Sequence, residues 1–387
     1  MSSRTDRLAR SGARNTSLVA LASLTIAVVT SGCVPDDDAT DDGIVETAHL
    51  RITTTTDNPI CAGTAPFLES EVLRIAEALE LPLWAEDDKL DVRFGEDSVA
   101  EVCADSEYEH LNGCLRRTGS DFVVASIEVA YTSSHELVHA VRAKNGLWSA
   151  TMFEEGLAEV ASGSNGFPVY VRYPHGEPSV GPVELLGIPR SEFEPVYYIP
   201  SESFISWLWE TYGQSTLMAF MNDRALSNTD SILSHFEDHF GQTLAEADQA
   251  WAIDERPDPS WGAPCVPERT YSLADGPLEL SGDFDCREPT VYGAAYFMSL
   301  WPMCLDVTDN TRVAISFEAE HGELQVLGRE PCDAGPAGAE AYRDKWVKAG
   351  NMLEEDIAGC RYRMLVSSQE PGFPATPYTI RIEEIDP

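Results

Sequence analysis

His135-Glu136-Leu137-Val138-His139 sets two imidazoles four residues apart, with a carboxylate directly after the first. On a helix, positions i and i+4 lie one turn apart on the same face, so both rings can address a single cation. Glu136 lies beside them, where a carboxylate can take a proton from a water that the cation polarises. Glu154-Glu155-Gly156-Leu157-Ala158-Glu159 follows within a short stretch and offers a carboxylate as third donor. Two ring nitrogens, one oxygen and an open position make up the donor set of hydrolytic zinc sites.

These residues need a scaffold that brings two segments together. Phe122-Val123-Val124-Ala125-Ser126 is β-branched, aromatic and small, and reads as a strand. Thr132-Ser133-Ser134 supplies hydroxyl side chains suited to a helix start. Asn145-Gly146 is a C-terminal stop signal. A second helix is expected from about Thr151, carrying Glu154, Glu155 and Glu159. Strand, histidine helix, turn and carboxylate helix is the order that a three-ligand site requires.

With these residues in place, the chain resembles the gluzincin metallopeptidases, in particular their peptidase-MA-like and aminopeptidase-N-like branches. The resemblance rests on His135-Glu136-Leu137-Val138-His139 and Glu155-Gly156-Leu157-Ala158-Glu159, and covers about residues 66–255. It implies one Zn2+ held by His135, His139 and Glu155, with Glu136 as general base. Glu159, one turn on, matches a carboxylate that orients a ligand histidine in thermolysin-like members. Fifteen residues separate His139 from Glu155, fewer than is usual in the group. Strict thermolysin-like spacing would make Glu159 the ligand, and Glu154 is a further alternative. Tyr198, at the entry to a helical run over Ile205–Gly213, matches a phenol that stabilises the oxyanion, with Tyr197 as the alternative. In the group, the strand before the zinc helix is an edge strand that pairs with an extended peptide, so the same role is implied here. An exopeptidase motif of the aminopeptidase-N type is not visible, which favours an endopeptidase.

A second pair, His235-Phe236-Glu237-Asp238-His239, has the same spacing. Phe236 stands where the first pair has Glu136. Ile232, Leu233, Phe236 and Phe240 form an apolar stripe, so this segment reads as a packing helix with flanking imidazoles.

The N-terminus carries Arg4, Arg7, Arg10 and Arg14 before an apolar run from Leu18 to Val29 that is short for a membrane span. It ends in Thr30-Ser31-Gly32-Cys33, which resembles a bacterial lipobox and implies acylation of Cys33 after removal of residues 1–32. The expectation is an exported lipoprotein, extracytoplasmic, with the outer membrane or cell surface favoured and the membrane reached only through Cys33. Residues 33–48 are acidic and poor in apolar side chains, and read as a disordered tether.

The formal charge of −39 argues against nucleic acid as a partner. A peptide or protein substrate and a monomeric state are expected. Setting Cys33 aside leaves eight of the nine cysteines, an even number suited to disulfides in an oxidising compartment. Cys103 and Cys114 form a natural local pair, which would leave Cys61 to bridge into the C-terminal part.

Residues 66–81 show helical periodicity, Leu90–Phe94 alternates as a strand, and 109–126 contribute further strands. Residues 164–200 read as a long loop and 202–255 as helices. Arg256–Pro264 is a linker by composition. Beyond it, Val313, Ile315 and Phe317, then Tyr362, Met364 and Val366, then Tyr378, Ile380 and Ile382 alternate with other residues.

The expected class is α+β: a zincin-type catalytic domain over 49–255, with a small sheet, the His-Glu-x-x-His helix and a helical lobe. A disulfide-containing β-sandwich-like domain over 265–387 is expected to follow it. The expected function is a membrane-tethered, zinc-dependent peptidase. The alternative is a peptidase-like binding or scaffold lipoprotein without activity.

Overall fold

The protein is α+β, with helices packed on one sheet and two further sheets downstream. The computed structural model describes residues 44–54, 60–104, 112–127, 131–162, 180–253 (except 225, 227 and 228), 269–294, 297–300, 303–328 and 345–385 (except 358, 360 and 369–375). The leader, Cys33 and the linker at 256–264 lie outside them.

The first sheet has the strands β1 (Val45–Glu46), β2 (Leu50–Thr54), β3 (Leu90–Phe94), β4 (Gly113–Thr118) and β5 (Asp121–Ser126), in the order β1-β2-β3-β5-β4. β2, β3 and β5 run parallel, while β1 and β4 run antiparallel to their neighbours. Parallel neighbours need crossovers, and helix α1 (Thr64–Ala78) lies between β2 and β3 in the chain.

Strand alternation assigns the two faces. Leu50, Ile52, Leu90, Val92, Phe94 and Val124 join the main core with α1. Val123 and Ala125 point the other way, onto α2 (Glu96–Val102) and Cys103.

Two expectations change here. Val45 and Glu46 pair with Ile52 and Arg51, so the end of the expected tether is a strand. Val45 packs partly buried against the core, which offsets the cost of ordering it. The strand before the histidine helix, β5, is interior, and β4 is the edge. The Gly119-Ser120 turn, with Gly119 at φ +65°, folds β4 back onto the outer side of β5.

Helices α3 (Tyr131–Lys144), α4 (Thr151–Ser162), α5 (Pro182–Leu186), α6 (Tyr198–Tyr212), α7 (Gln214–Met221), α8 (Thr229–Phe240) and α9 (Leu244–Ala252) build the remainder of this body. From Met152 to Ser162 every residue of α4 is buried, as befits a helix enclosed on all sides. The described part of the expected loop, residues 180–200, holds α5 and two short 3-10 turns instead. α6 starts at Tyr198, well before Ile205. Pro200 sits in its first turn, where a missing N–H breaks no helical bond.

Beyond residue 269, two sheets face a common core. One contains β6 (Thr270–Ser272), β8 (Val291–Ala294), β9 (Phe297–Leu300), β10 (Met303–Asp306), β12 (Glu323–Gly328), β13 (Lys345–Lys348) and β15 (Arg361–Ser368). The other contains β7 (Leu278–Phe284), β11 (Thr311–Ala319), β14 (Asn351–Ile357) and β16 (Thr376–Glu384), in the order β14-β11-β16-β7. Val313, Ile315, Phe317, Ile380 and Ile382 meet Tyr362, Met364 and Val366 across this core.

The Cys61–Cys286 disulfide joins the two bodies, and Cys103–Cys114 closes a local loop beside β4. Cys304 is disulfide-bonded as well. Around Cys61 the backbone bonds directly to the later sheet: Cys61 N to Gly293 O at 3.0 Å and Gly63 N to Val291 O at 3.0 Å. Phe67 stacks on Tyr292 with centroids 4.0 Å apart. Among the described residues, no helix is long and apolar enough to cross a membrane.

Candidate metal centre

The histidine helix follows β5 in the chain and is buried for nearly three turns, from Ser133 to Arg142. Its C-terminus closes as the Asn145-Gly146 signal requires. Gly146 adopts φ +70°, and Leu147 N donates back to Arg142 O at 3.0 Å. Arg142 and Lys144 stand in the last turn, where positive charge complements the helix dipole.

Hydrogen bonds to the Glu71–Arg74 ion pair of α1 fix α3 and α4 to that helix. Glu71 on α1 accepts from Ser134 at 3.2 Å and from Arg74 through two nitrogens, at 3.1 and 2.8 Å. Arg74 in turn donates to Ala161 O at 2.8 Å and Ser162 O at 3.2 Å, capping the carbonyl end of α4.

On this frame, His135, His139 and Glu155 converge. His135 Nε2 lies 3.1 Å from Glu155 Oε2 and 3.1 Å from His139 Nε2, and His139 Nε2 lies 3.3 Å from Glu155 Oε2. All three residues are buried. The triangle is within a few tenths of an ångström of the size that one tetrahedral ion demands, and slightly tighter. Donors about 2.0–2.2 Å from zinc stand about 3.3–3.5 Å apart. A proton placed among these atoms serves one pair of them, whereas a cation serves all three lone pairs together. These groups could therefore hold a metal ion.

The surrounding charges point the same way. Burial alone would lower the His135 pKa, yet the carboxylates of Glu159 and Glu155 outweigh it and raise the pKa well above the ordinary range. Burial would raise the Glu155 carboxyl, but the two imidazoles prevail and hold it far below its usual value. The site thus attracts positive charge into a buried place.

The three glutamates of α4 separate into distinct positions. Glu155 faces both Nε2 atoms. Glu159 Oε1 lies 3.0 Å from Nδ1 of His135, close enough for charge attraction though not aligned for a full hydrogen bond. Glu154 turns away into a buried bidentate pair with Arg142, at 2.9 and 2.8 Å, and also accepts from Ser149 N and Oγ at 2.6 and 2.8 Å. Its second oxygen lies 4.0 Å from His139 Nδ1, so it sets negative charge behind that ring. The stretch of 15 residues between His139 and Glu155 closes without strain because Leu147–Ala150 make a tight connection between the helices.

Glu136 is buried next to the imidazoles. Loss of solvent raises its pKa, against the pull of His135 and His139. Tyr198 stacks parallel to His135, with centroids 5.9 Å apart and 3° between the planes. Burial first, then the nearby carboxylates, push its phenol strongly toward the protonated form. Tyr197 packs on Phe193 instead.

Gly156 explains how α6 reaches the site. A Cβ there would lie 2.5 Å from Ser201 O and 2.8 Å from Ile205 Cγ1. Only glycine lets the first turns of α6, which begin at Tyr198, seat against α4 directly beneath Glu155.

Sequence reasoning passed over Arg142, Trp148 and Arg190. Arg190 lies over the Trp148 ring at 4.8 Å, and that ring sits 6.2 Å from His139. The positive charge of Arg190 reaches both Glu136 and Tyr198. No periodicity or motif marks a single cation in a short turn. Arg142 and Glu154 stand on different helices, and no local pattern in the sequence pairs them.

At the second histidine pair, α8 is the packing helix that the sequence implies, with one difference in its stripe. Ile232, Phe236 and Phe240 are buried, but Leu233 is exposed, since it falls off the i, i+4 row. Asp223 joins His235 and His239 to form another three-residue group with donors within 4.8 Å of one another.

Neither a family model nor a curated protein matches the chain. Among solved structures it is similar to the periplasmic inhibitor of g-type lysozyme from Aeromonas hydrophila, at 16% identity, over 30% of this chain and 96% of that one, with a TM-score of 0.20. The Yersinia pseudotuberculosis-derived mitogen matches at 9% identity over 29% of this chain and 88% of its own, with a TM-score of 0.19. HppE in its cobalt form matches at 11% identity over 46% and 88%, with a TM-score of 0.13. Likenesses at this level carry no argument about the site.

Proposed function

We propose that this protein is an extracytoplasmic, zinc-dependent peptidase of gluzincin type, tethered to a bacterial membrane through Cys33. The observation that carries the reading is the buried triangle of His135 Nε2, His139 Nε2 and Glu155 Oε2, with Glu136 on the same helix and Tyr198 stacked against His135. Zinc bound there would polarise a water and the scissile carbonyl.

The chain's own residues would then act in sequence. Glu136 accepts the proton that the water gives up as it attacks the carbonyl carbon. It later delivers that proton to the amine nitrogen as the C–N bond breaks. Burial beside the imidazoles removes solvent from Glu136, and loss of solvent favours a carboxyl that can hold and return a proton. Tyr198, held protonated, donates a hydrogen bond to the oxyanion. Glu159 fixes the orientation of His135 by attracting its Nδ1–H. An extended peptide would add to the edge strand β4.

Disulfides at Cys61–Cys286 and Cys103–Cys114 fit an oxidising compartment. The test is zinc content together with turnover of unstructured peptides. The parent should bind zinc and hydrolyse, His139→Ala should lose the inner zinc, and Glu136→Gln should keep the zinc but not the activity. Equal hydrolysis by parent and Glu136→Gln would refute the mechanism.

A further inference from the structure

We propose that Asp223, His235 and His239 form a second metal site, for a divalent transition ion of the zinc type, on the outer face of the helical lobe. The three residues offer donor atoms within 4.8 Å of one another. His235 and His239 stand one turn apart on α8, and Asp223 comes from the turn after α7.

The helix that presents the two rings is held firmly. Ile232, Phe236 and Phe240 anchor its other face in the core, and the His239 ring rests edge-on against Phe220 with centroids 5.8 Å apart. His235 Nδ1 lies 2.8 Å from Asp223 Oδ2. Two ligands of one ion stand a few tenths of an ångström further apart, and a small rotation of the half-exposed carboxylate supplies that.

Two imidazoles and one carboxylate select the class of ion. Magnesium and calcium favour oxygen-only ligand sets, whereas zinc and its neighbours favour nitrogen. With three protein ligands and partial exposure, water would complete the coordination. Phe236 occupies the place that Glu136 holds in the inner site, so the carboxylate that follows the first histidine there has no counterpart here. The outer site is therefore a clip rather than a reaction centre.

The segment that it would clip matters to the inner site. Arg142 donates to Met221 O at 3.0 Å and to Asn222 Oδ1 at 3.3 Å, and Asn222 Nδ2 donates to Leu79 O at 2.9 Å. Pinning Asp223 to α8 fixes the chain immediately after these contacts, and so fixes the guanidinium that holds Glu154 behind His139.

The experiment uses the full chain, dialysed against micromolar zinc, with zinc per chain measured by mass spectrometry. The proteins are the parent, the double variant His235→Ala/His239→Ala, Asp223→Asn, and His139→Ala. The parent should carry two zinc ions per chain, and each of the others should have lost one. Asp223→Asn keeps the size of the side chain, and circular dichroism and a melting temperature matching those of the zinc-free parent separate its loss of zinc from misfolding. Adding zinc should raise the melting temperature of His139→Ala but have no such effect once His235 and His239 are also replaced. An unchanged zinc count in both the double variant and Asp223→Asn would overturn the outer site. So would displacement of the outer ion by excess magnesium or calcium. Failure of the inner site would show separately, as an unchanged count in His139→Ala.

Discussion

The chain carries the same spacing of histidines twice, and the two copies face different surroundings. His135 and His139 lie inside the protein, with Glu136, Glu154, Glu155 and Glu159 around them. His235 and His239 lie half-exposed on α8, with Asp223 beside them and an aromatic cluster behind. The residue after the first histidine separates the two. Glu136 projects among the ligands of the inner pair, whereas Phe236 is fully buried against Phe153, Phe204, Phe220 and Phe240. A spacing of i, i+4 only aligns two rings. What they can do depends on which side chains the remaining turn of helix and the neighbouring elements place near them.

The largest expected effect tests that difference at Glu136. Glu136→Gln should lower peptide hydrolysis by about a hundred- to ten-thousandfold, the range that a general base contributes. Its zinc content and denaturant midpoint should stay close to those of the parent, because the amide keeps the shape. Next comes the equivalent position in the other pair. Phe236→Ala should cost about 3–5 kcal/mol of stability in urea unfolding, as removal of a core phenylalanine does. In whatever fraction remains folded, the inner zinc should still be bound. If Phe236→Ala proved neutral in stability, the contrast between a reactive and a packing copy would fail.

Much of this contrast can be read from residues alone. The His-Glu-x-x-His spacing, the Asn145-Gly146 stop and the start of α4 at Thr151 all follow from local rules, and local rules govern helix ends. The pairing of Cys103 with Cys114 follows from proximity in sequence, and a bridge from Cys61 to the later strands follows from that pairing, though its partner Cys286 does not. The position of β5 inside the sheet was not legible, because alternation tells which face a residue takes and not which strand lies next to it. Nor was Asp223, a ligand candidate a dozen residues before His235, outside any periodic run. Arg142 takes Glu154 out of the choice by claiming it, and Glu155 differs from Glu159 in facing the Nε2 atoms rather than Nδ1 of His135.

Tyr198 offers the next test. Tyr198→Phe keeps the ring that stacks on His135 and removes only the hydroxyl. The expected loss is about a hundred- to thousandfold in kcat, with KM little changed, since the hydrogen bond forms to the oxyanion and not to the ground-state carbonyl. A rise in KM at constant kcat would instead make Tyr198 a substrate-binding group.

The smallest effect concerns how the inner site is assembled, and has no counterpart in the outer one. Gly156 lies between Glu155 and the first turns of α6, where a methyl group would press on the Ser201 carbonyl at 2.5 Å. That neighbour is backbone within a buried helix, so it can give way only if α6 shifts as a body. Gly156→Ala should therefore cost about 1–3 kcal/mol in urea unfolding, the range for overpacking a core. The shift should move Tyr198 away from His135 while Glu155 stays on its own helix. Zinc content should then hold near the parent value as kcat falls, which a general loss of folding would not produce. The double variant Gly156→Ala/Tyr198→Phe distinguishes the two causes. If Gly156 acts by placing Tyr198, the double variant should be scarcely slower than Tyr198→Phe alone. Full additivity of the two losses would mean that Gly156 serves packing only.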